Sequence, residues 1–244
     1  MLIYIYDGSF DGLLTLTYDS YYNKEVPDKI MQEASQEDFL ANYTVIKTDE
    51  KKAQKVYEAI RDKFSKDALN HIYYAFLSEQ LNREKFILNY IKLGFKTGKD
   101  IDRMLSNDTV LFIHNLSKKV SRERHRMLGL TRFIELDKGI LYAKIQPKYN
   151  VLSLLAPHFS KRLSGERWVI HDVDRAVAVI YSNSEWYTSE FKVEKDVPLS
   201  DQEVLFQSLW KNYFDSISIK EKQNLKLQQK NMPKRYWGNL VEKN

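Results

Sequence analysis

The spacing of apolar residues changes character once along this chain, and that change limits the folds open to it. From 53 to 128 the apolar positions recur at helical intervals: Ala53, Val56, Tyr57, Ile60 and Phe64, then Leu69, Ile72, Tyr73 and Phe76, then Phe86, Ile87, Tyr90 and Ile91. Lys96-Thr97-Gly98-Lys99 breaks this series, and 108–128 reads as one long helix. From Arg132 the pattern shortens to strand-length runs. Residues 132–136 and 140–145 flank Asp137-Lys138-Gly139, a hairpin signal because glycine tolerates positive φ. Residues 151–163 are helical with Pro157 as an interruption. A second hairpin follows over 167–171 and 176–181, then a further strand over 186–193 and helix from 199 to 214.

At the start of the chain, 2–6 is a β-rich run that enters Asp7-Gly8-Ser9-Phe10-Asp11-Gly12, a turn into a helix capped by Ser9 or Asp7. Residues 43–47 alternate as a second strand. The expected class is α/β (α+β): a short N-terminal β-α-β, a central helical block, a mainly antiparallel ββαβββ sheet and C-terminal helices. The expected organisation is one compact domain over 1–218, with the helical block at 49–128 and the second sheet at 130–193. A basic helical tail, 219–244, packs on it.

Charge is unevenly placed. Residues 219–244 hold seven Lys/Arg against two Glu, which equals the net +5 of all 244 residues. The bulk of the fold is therefore balanced, and its basicity is local. With no cysteine, the chain has no disulfide, thiolate nucleophile or Cys-ligated iron–sulfur cluster. No run approaches the ~20 apolar residues of a membrane helix. The N-terminal run lacks a basic leader and meets Asp7 at once, so a cytoplasmic protein is expected.

The long helix divides into two faces. Phe112, Leu116, Val120 and Met127 form an apolar stripe about 80° wide, and Glu123 falls inside it. Lys118, Lys119, Arg122, His125 and Arg126 occupy the remaining arc. Two readings of those cations stay open: a solvated face, or one that contacts phosphates. A carboxylate facing a core needs a partner, so Glu123 is either half of a buried ion pair or a catalytic acid.

Among the five histidines, His71 and His114 have no acid/base partner nearby in sequence and read as structural or surface residues. His158 follows Pro157, with Arg162 one helical turn later. His171 ends a strand beside Asp172, with Arg175 across the turn. An acid/base pair of His171 and Asp172, joined by His158 and Glu123 with Arg162 and Arg126 holding an anion, is the candidate catalytic constellation. The spacing matches no compact ligand motif such as H-E-x-x-H, so no metal and no cofactor is assigned. G-x-S-x-G, G-x-x-x-x-G-K-[ST] and G-x-G-x-x-G are absent. In the tail, Lys222, Lys226 and Lys230 recur every fourth residue, and Lys234, Arg235 and Trp237 add cations and a stacking surface.

Several strings together resemble a known family. They are Tyr6-Asp7-Gly8-Ser9-Phe10-Asp11-Gly12-Leu13-Leu14; Glu123-Arg124-His125-Arg126-Met127 with Arg132-Phe133; Asn150-Val151-Leu152-Ser153-Leu154-Leu155-Ala156-Pro157-His158-Phe159; Trp168-Val169-Ile170-His171-Asp172; and Met232-Pro233-Lys234-Arg235-Tyr236-Trp237. The chain resembles the bacterial "probable DNA metabolism protein" family, a domain of unknown function, over nearly its whole length. Members accompany a radical SAM protein assigned to DNA modification or repair, and a related domain is joined to a uracil-DNA glycosylase-like domain. The resemblance implies a DNA repair or DNA modification role and a radical SAM partner. Any iron–sulfur chemistry would then belong to that partner.

Three functions follow as expectations. The first is an accessory module that binds DNA or a nucleotide. The second is an enzyme acting on a nucleotide or DNA end through the His/Asp/Glu/Arg cluster. The third is a non-catalytic scaffold for the partner, recognisable by an exposed apolar patch.

Overall fold

The computed structural model describes residues 1–32, 42–192, 198–219, 222 and 224–243. It is mixed α/β, and its contacts divide it into two compact units, Met1–Arg122 and Glu123–Asn244. The division falls inside a helix. The segment from 219 onward belongs with the second unit.

The first unit opens on β1 (Leu2–Ile5), α1 (Phe10–Tyr22), β2 (Lys29–Met31) and β3 (Asn42–Val45). The three strands are parallel, in the order β2-β1-β3. The turn after β1 is fixed by side chains. Asp7 Oδ1 accepts from Ser9 N (2.9 Å) and Ser9 Oγ (2.7 Å), and Thr48 donates to Asp7 Oδ2 (2.7 Å). Ser9 in turn caps α1 by accepting from Gly12 N at 2.8 Å, so one orphan donor of the helix is satisfied. Strand β2 extends the expected β-α-β. At three residues it is too short to carry an alternation signal.

Helices α2 (Glu50–Lys63), α3 (Ala68–Leu77) and α4 (Arg83–Thr97) follow, then a 3-10 segment, Gly98–Arg103. The break at Gly98 has φ +60, a left-handed value that suits glycine. The core of this unit gathers Tyr4, Leu13, Leu16, Ile60, Ile72, Ile87, Leu88 and Ile91, all essentially inaccessible to solvent. Helix α5 (Asp108–Leu130) closes the first unit and begins the second.

The second unit holds β4 (Ile134–Leu136), β5 (Ile140–Ile145), α6 (Leu152–Arg162), β6 (Arg167–Asp172), β7 (Val177–Ser182) and β8 (Glu185–Glu190). These strands form one sheet in sequence order. The β5–β6 ladder is parallel, bridged by α6, and the other three are antiparallel. The ββαβββ expectation describes this sheet, although residue 193 of its last expected strand lies outside the described residues. Helix α6 runs through Pro157, which is exposed there. Register gives the sheet two chemically distinct faces. Trp168, Ile170 and Asp172 share one, and Tyr142, Lys144 and His171 share the other. Trp168 is fully buried, stacked on Tyr181 and edge-on to Phe159 of α6 (centroids 6.3 Å), so α6 covers the Trp168 face. Helices α7 (Asp201–Ile217) and α8 (Leu225–Asn231) and two 3-10 turns, Lys234–Asn239 and Val241–Lys243, complete the chain.

Candidate functional site

The cations of α5 are the least compensated charges of the helix. Lys118, Lys119, Arg122, His125 and Arg126 are all exposed, and no ion pair or hydrogen bond engages their side chains among the described residues. They spread over about 120° of the helix circumference at 100° per residue. Lys118–Arg122 and Arg122–Arg126 are like-charged i,i+4 pairs, which cost a helix a few tenths of a kcal/mol each. The helix dipole does not offset this, because it acts within the last turn and the last turn of α5 has no basic residue. The only acids in α5 are Asp108, in its first turn, and Glu123.

Glu123 is committed elsewhere. Its side chain is 3% exposed. Its Oε1 accepts from Lys148 N (2.7 Å) and Tyr236 Oη (2.8 Å), and Arg235 Nη2 reaches Oε2 at 2.9 Å. The same 147–148 loop is held from its other side by Arg175, which donates to the carbonyls of Pro147 (3.1 Å) and Lys148 (3.2 Å) and pairs with Asp172 Oδ2 at 2.9 Å. Four candidate residues, Glu123, Asp172, Arg175 and Arg235, therefore meet around one loop. Burial pushes the Asp172 carboxyl up from its ordinary value, and the Arg175 contacts only partly counter this. All four side chains make hydrogen bonds within the fold itself. The partner of Glu123 comes from the tail.

His171 and Asp172 do not form an acid/base pair. Adjacent residues of a strand point to opposite faces, and only Asp172 lies on the face that α6 covers. The His171 ring is buried beneath Phe191 (centroids 5.0 Å), with Nδ1 2.7 Å from Tyr142 Oη. Burial, then Lys144, lowers its pKa, which favours the neutral ring. His158 sits on α6, against the other face. Its Nε2 is buried with no hydrogen-bond partner among the described residues. Arg162, in the last turn of α6, and Lys234 are exposed and enter no ion pair among the described residues. Trp237 donates Nε1–H to Met232 O at 2.9 Å, and Tyr236 is the buried anchor of the tail. The His171 face also borders a cavity of ≈ 210 Å³ lined by Arg132, Tyr142, Lys144, Gln207 and Lys211 among others. Arg132 there is paired with Glu242 at 2.7 Å.

The first unit holds a cluster that sequence reasoning passed over. His71 of α3, Asp102 of the 3-10 segment and His114 of α5 converge. His114 Nε2 lies 2.7 Å from Asp102 Oδ1, His71 Nε2 lies 3.9 Å from Asp102 Oδ2, and the imidazole centroids are 4.2 Å apart. In sequence these two histidines have no acid/base partner nearby. Their shared carboxylate comes from a different element, and no local motif could have announced it.

Comparison with family models matches residues 81–242, two-thirds of the chain, to a domain of unknown function, DUF4130. The chain belongs to the DUF4130 family. No curated protein and no solved structure gives a match. The DUF4130 stretch begins just before α4 and contains α5, the second unit to residue 242, Asp102 and His114. His71 and the first sheet precede it. No helix among the described residues is long and apolar enough to cross a membrane.

Proposed function

We propose that this DUF4130 protein is an accessory module of DNA repair or DNA modification that binds the nucleic-acid backbone through α5. The observation that carries this reading is the exposed cationic arc of Lys118, Lys119, Arg122, His125 and Arg126, unpaired among the described residues. Like charges at helical spacing cost the isolated protein stability, and an anionic polymer is the ligand that relieves the cost along a whole arc. Exposed Lys222, Lys226 and Lys230 add a second basic stretch. The assignment to DNA in particular comes from the family resemblance, which is most specific in the His158 and His171 strings.

A second surface favours a protein partner. On α7, Leu205, Leu209, Tyr213 and Ile217 recur every fourth residue, flanked by Phe206 and Trp210, and all are exposed. A stripe of this kind marks an interaction site. Within this reading it receives the radical SAM enzyme that the resemblance implies. The catalytic reading built on His171 and Asp172 is not carried forward, because the two side chains lie on opposite faces of the sheet.

The test is affinity for fluorescently labelled single-stranded and duplex DNA, with wild type beside Lys118→Gln/Lys119→Gln/Arg122→Gln/Arg126→Gln. Loss of most affinity in the variant, with an unchanged circular dichroism spectrum, is the expected outcome. Equal binding by both proteins would remove α5 from the interface. No binding by wild type at low salt would end the nucleic-acid reading.

A further inference from the structure

We propose that His71, Asp102 and His114 form a binding site for a divalent first-row transition metal ion, with zinc as the reference ion. The inference is separate from nucleic-acid binding and rests on other residues.

The donor set is two imidazole nitrogens and one carboxylate, with candidate ligand atoms all within 4.8 Å of one another. Tetrahedral zinc with bonds of ~2.0–2.1 Å places its donors ~3.3 Å apart. His114 Nε2 lies 2.7 Å from Asp102 Oδ1 and His71 Nε2 lies 3.9 Å from Oδ2, on either side of that spacing. The fold thus gathers the three donors near that spacing, from three separate elements. Imidazole nitrogen with carboxylate suits zinc or ferrous iron. Magnesium and calcium take mainly oxygen donors.

Surrounding groups orient each donor, as outer-shell partners do in metal centres. His71 Nδ1 lies 3.0 Å from Ser117 Oγ. With Ser117 accepting from Nδ1–H, the lone pair of Nε2 faces Asp102. The Asp102 carboxylate accepts from Tyr90 Oη at 2.5 Å and from Ser65 Oγ. Protonation states agree with this geometry. Burial lowers the pKa of His71. Asp102 stays below its ordinary value although burial opposes it, because Ser65, Tyr90 and His114 hydrogen-bond the anion. Neutral imidazole and ionised carboxylate are the forms that ligate metals. The two imidazoles, tilted 30° to one another, each bring a ring nitrogen toward the one carboxylate. The three side chains retain 17–23% exposure, so an ion can enter, and three protein donors leave a coordination position for water or a ligand oxygen.

The experiment uses the full, tag-free chain, stripped with a chelator and titrated with Zn²⁺ by calorimetry and with Co²⁺ by visible absorption. One saturable equivalent is expected, with Co²⁺ giving the intense d–d bands of a four-coordinate site. His71→Ala, Asp102→Asn and His114→Ala should each weaken binding about 100-fold or more, and Ser117→Ala about 10-fold. His158→Ala, a histidine outside the cluster, should bind as wild type does. Absence of saturable binding, or ligand variants that bind like wild type, would overturn the proposal. Should the ligand variants not fold, zinc-edge X-ray absorption of the wild type decides it. Two imidazoles with oxygen donors support the site, and any other donor set contradicts it.

Discussion

Arg235 Nη2 lies 2.9 Å from Glu123 Oε2, so a residue from the end of the chain neutralises a buried carboxylate of α5. Tyr236 and the Lys148 amide complete its coordination. Removing one partner of such a pair strands the other in a poorly solvated position. Glu123→Gln is expected to destabilise the second unit by about 3 kcal/mol, near the lower end for buried pairs because Arg235 is partly exposed. Tyr236→Phe should cost about 1 kcal/mol. Urea denaturation read by circular dichroism measures both, and a cost under about 0.5 kcal/mol for Glu123→Gln would show that the clasp is dispensable.

Stability should fall as pH drops below 6.5, the ordinary histidine value. His71 and His171 both have depressed folded-state pKa values, through burial first. Between the depressed and ordinary values the unfolded chain binds protons that the folded chain refuses, so stability rises with pH across that interval. It is fully present above 6.5. Denaturation midpoints between about pH 5 and pH 8 should show this slope, and His71→Gln and His171→Gln should each flatten it. A flat wild-type profile would contradict the assignment.

Trp168 is fully buried, stacked on Tyr181, and its indole N–H has no partner among the described residues. Trp168→Ala should cost about 3–5 kcal/mol. Trp168→Phe should cost only about 1 kcal/mol, because shrinking the ring also removes an unpaired buried donor. Near-equal losses in chemical denaturation would mean that the indole nitrogen is satisfied.

Two glycines should respond in opposite directions to alanine. A Cβ on Gly12 would come 2.2 Å from Asp7 Oδ1 and 2.9 Å from Thr48 Oγ1, breaking the bonds that shape the first turn. Gly129, near the end of α5, has open space there. Gly12→Ala is expected to lose about 2 kcal/mol, and Gly129→Ala to gain up to about 1 kcal/mol from helix propensity. Thermal denaturation of the two variants separates these effects.

Elements with a strong period were legible. The apolar stripe through Leu116, Val120 and Met127 located α5 to within two residues of its end. Asp137-Lys138-Gly139 marked the β4–β5 turn, where Lys138 and Gly139 both have positive φ. Strand β2 carried no such signal. Glu123 announced its need for a partner by falling inside an apolar stripe, but only the tertiary fold could supply Arg235. His171 and Asp172 looked like a pair because they are neighbours in sequence, and strand geometry separates neighbours. His71, Asp102 and His114 show the converse, since helix packing joined residues that share no local pattern.

The most direct test of the account is the salt dependence of duplex DNA binding by wild type and the α5 glutamine variant. Each phosphate contact contributes a slope of about −0.9 to log K against log salt concentration. With Lys118, Lys119, Arg122 and Arg126 neutralised, the slope should become shallower by about 3 to 4. A wild type that binds with the same slope as the variant would contradict the claim that α5 holds the nucleic-acid backbone.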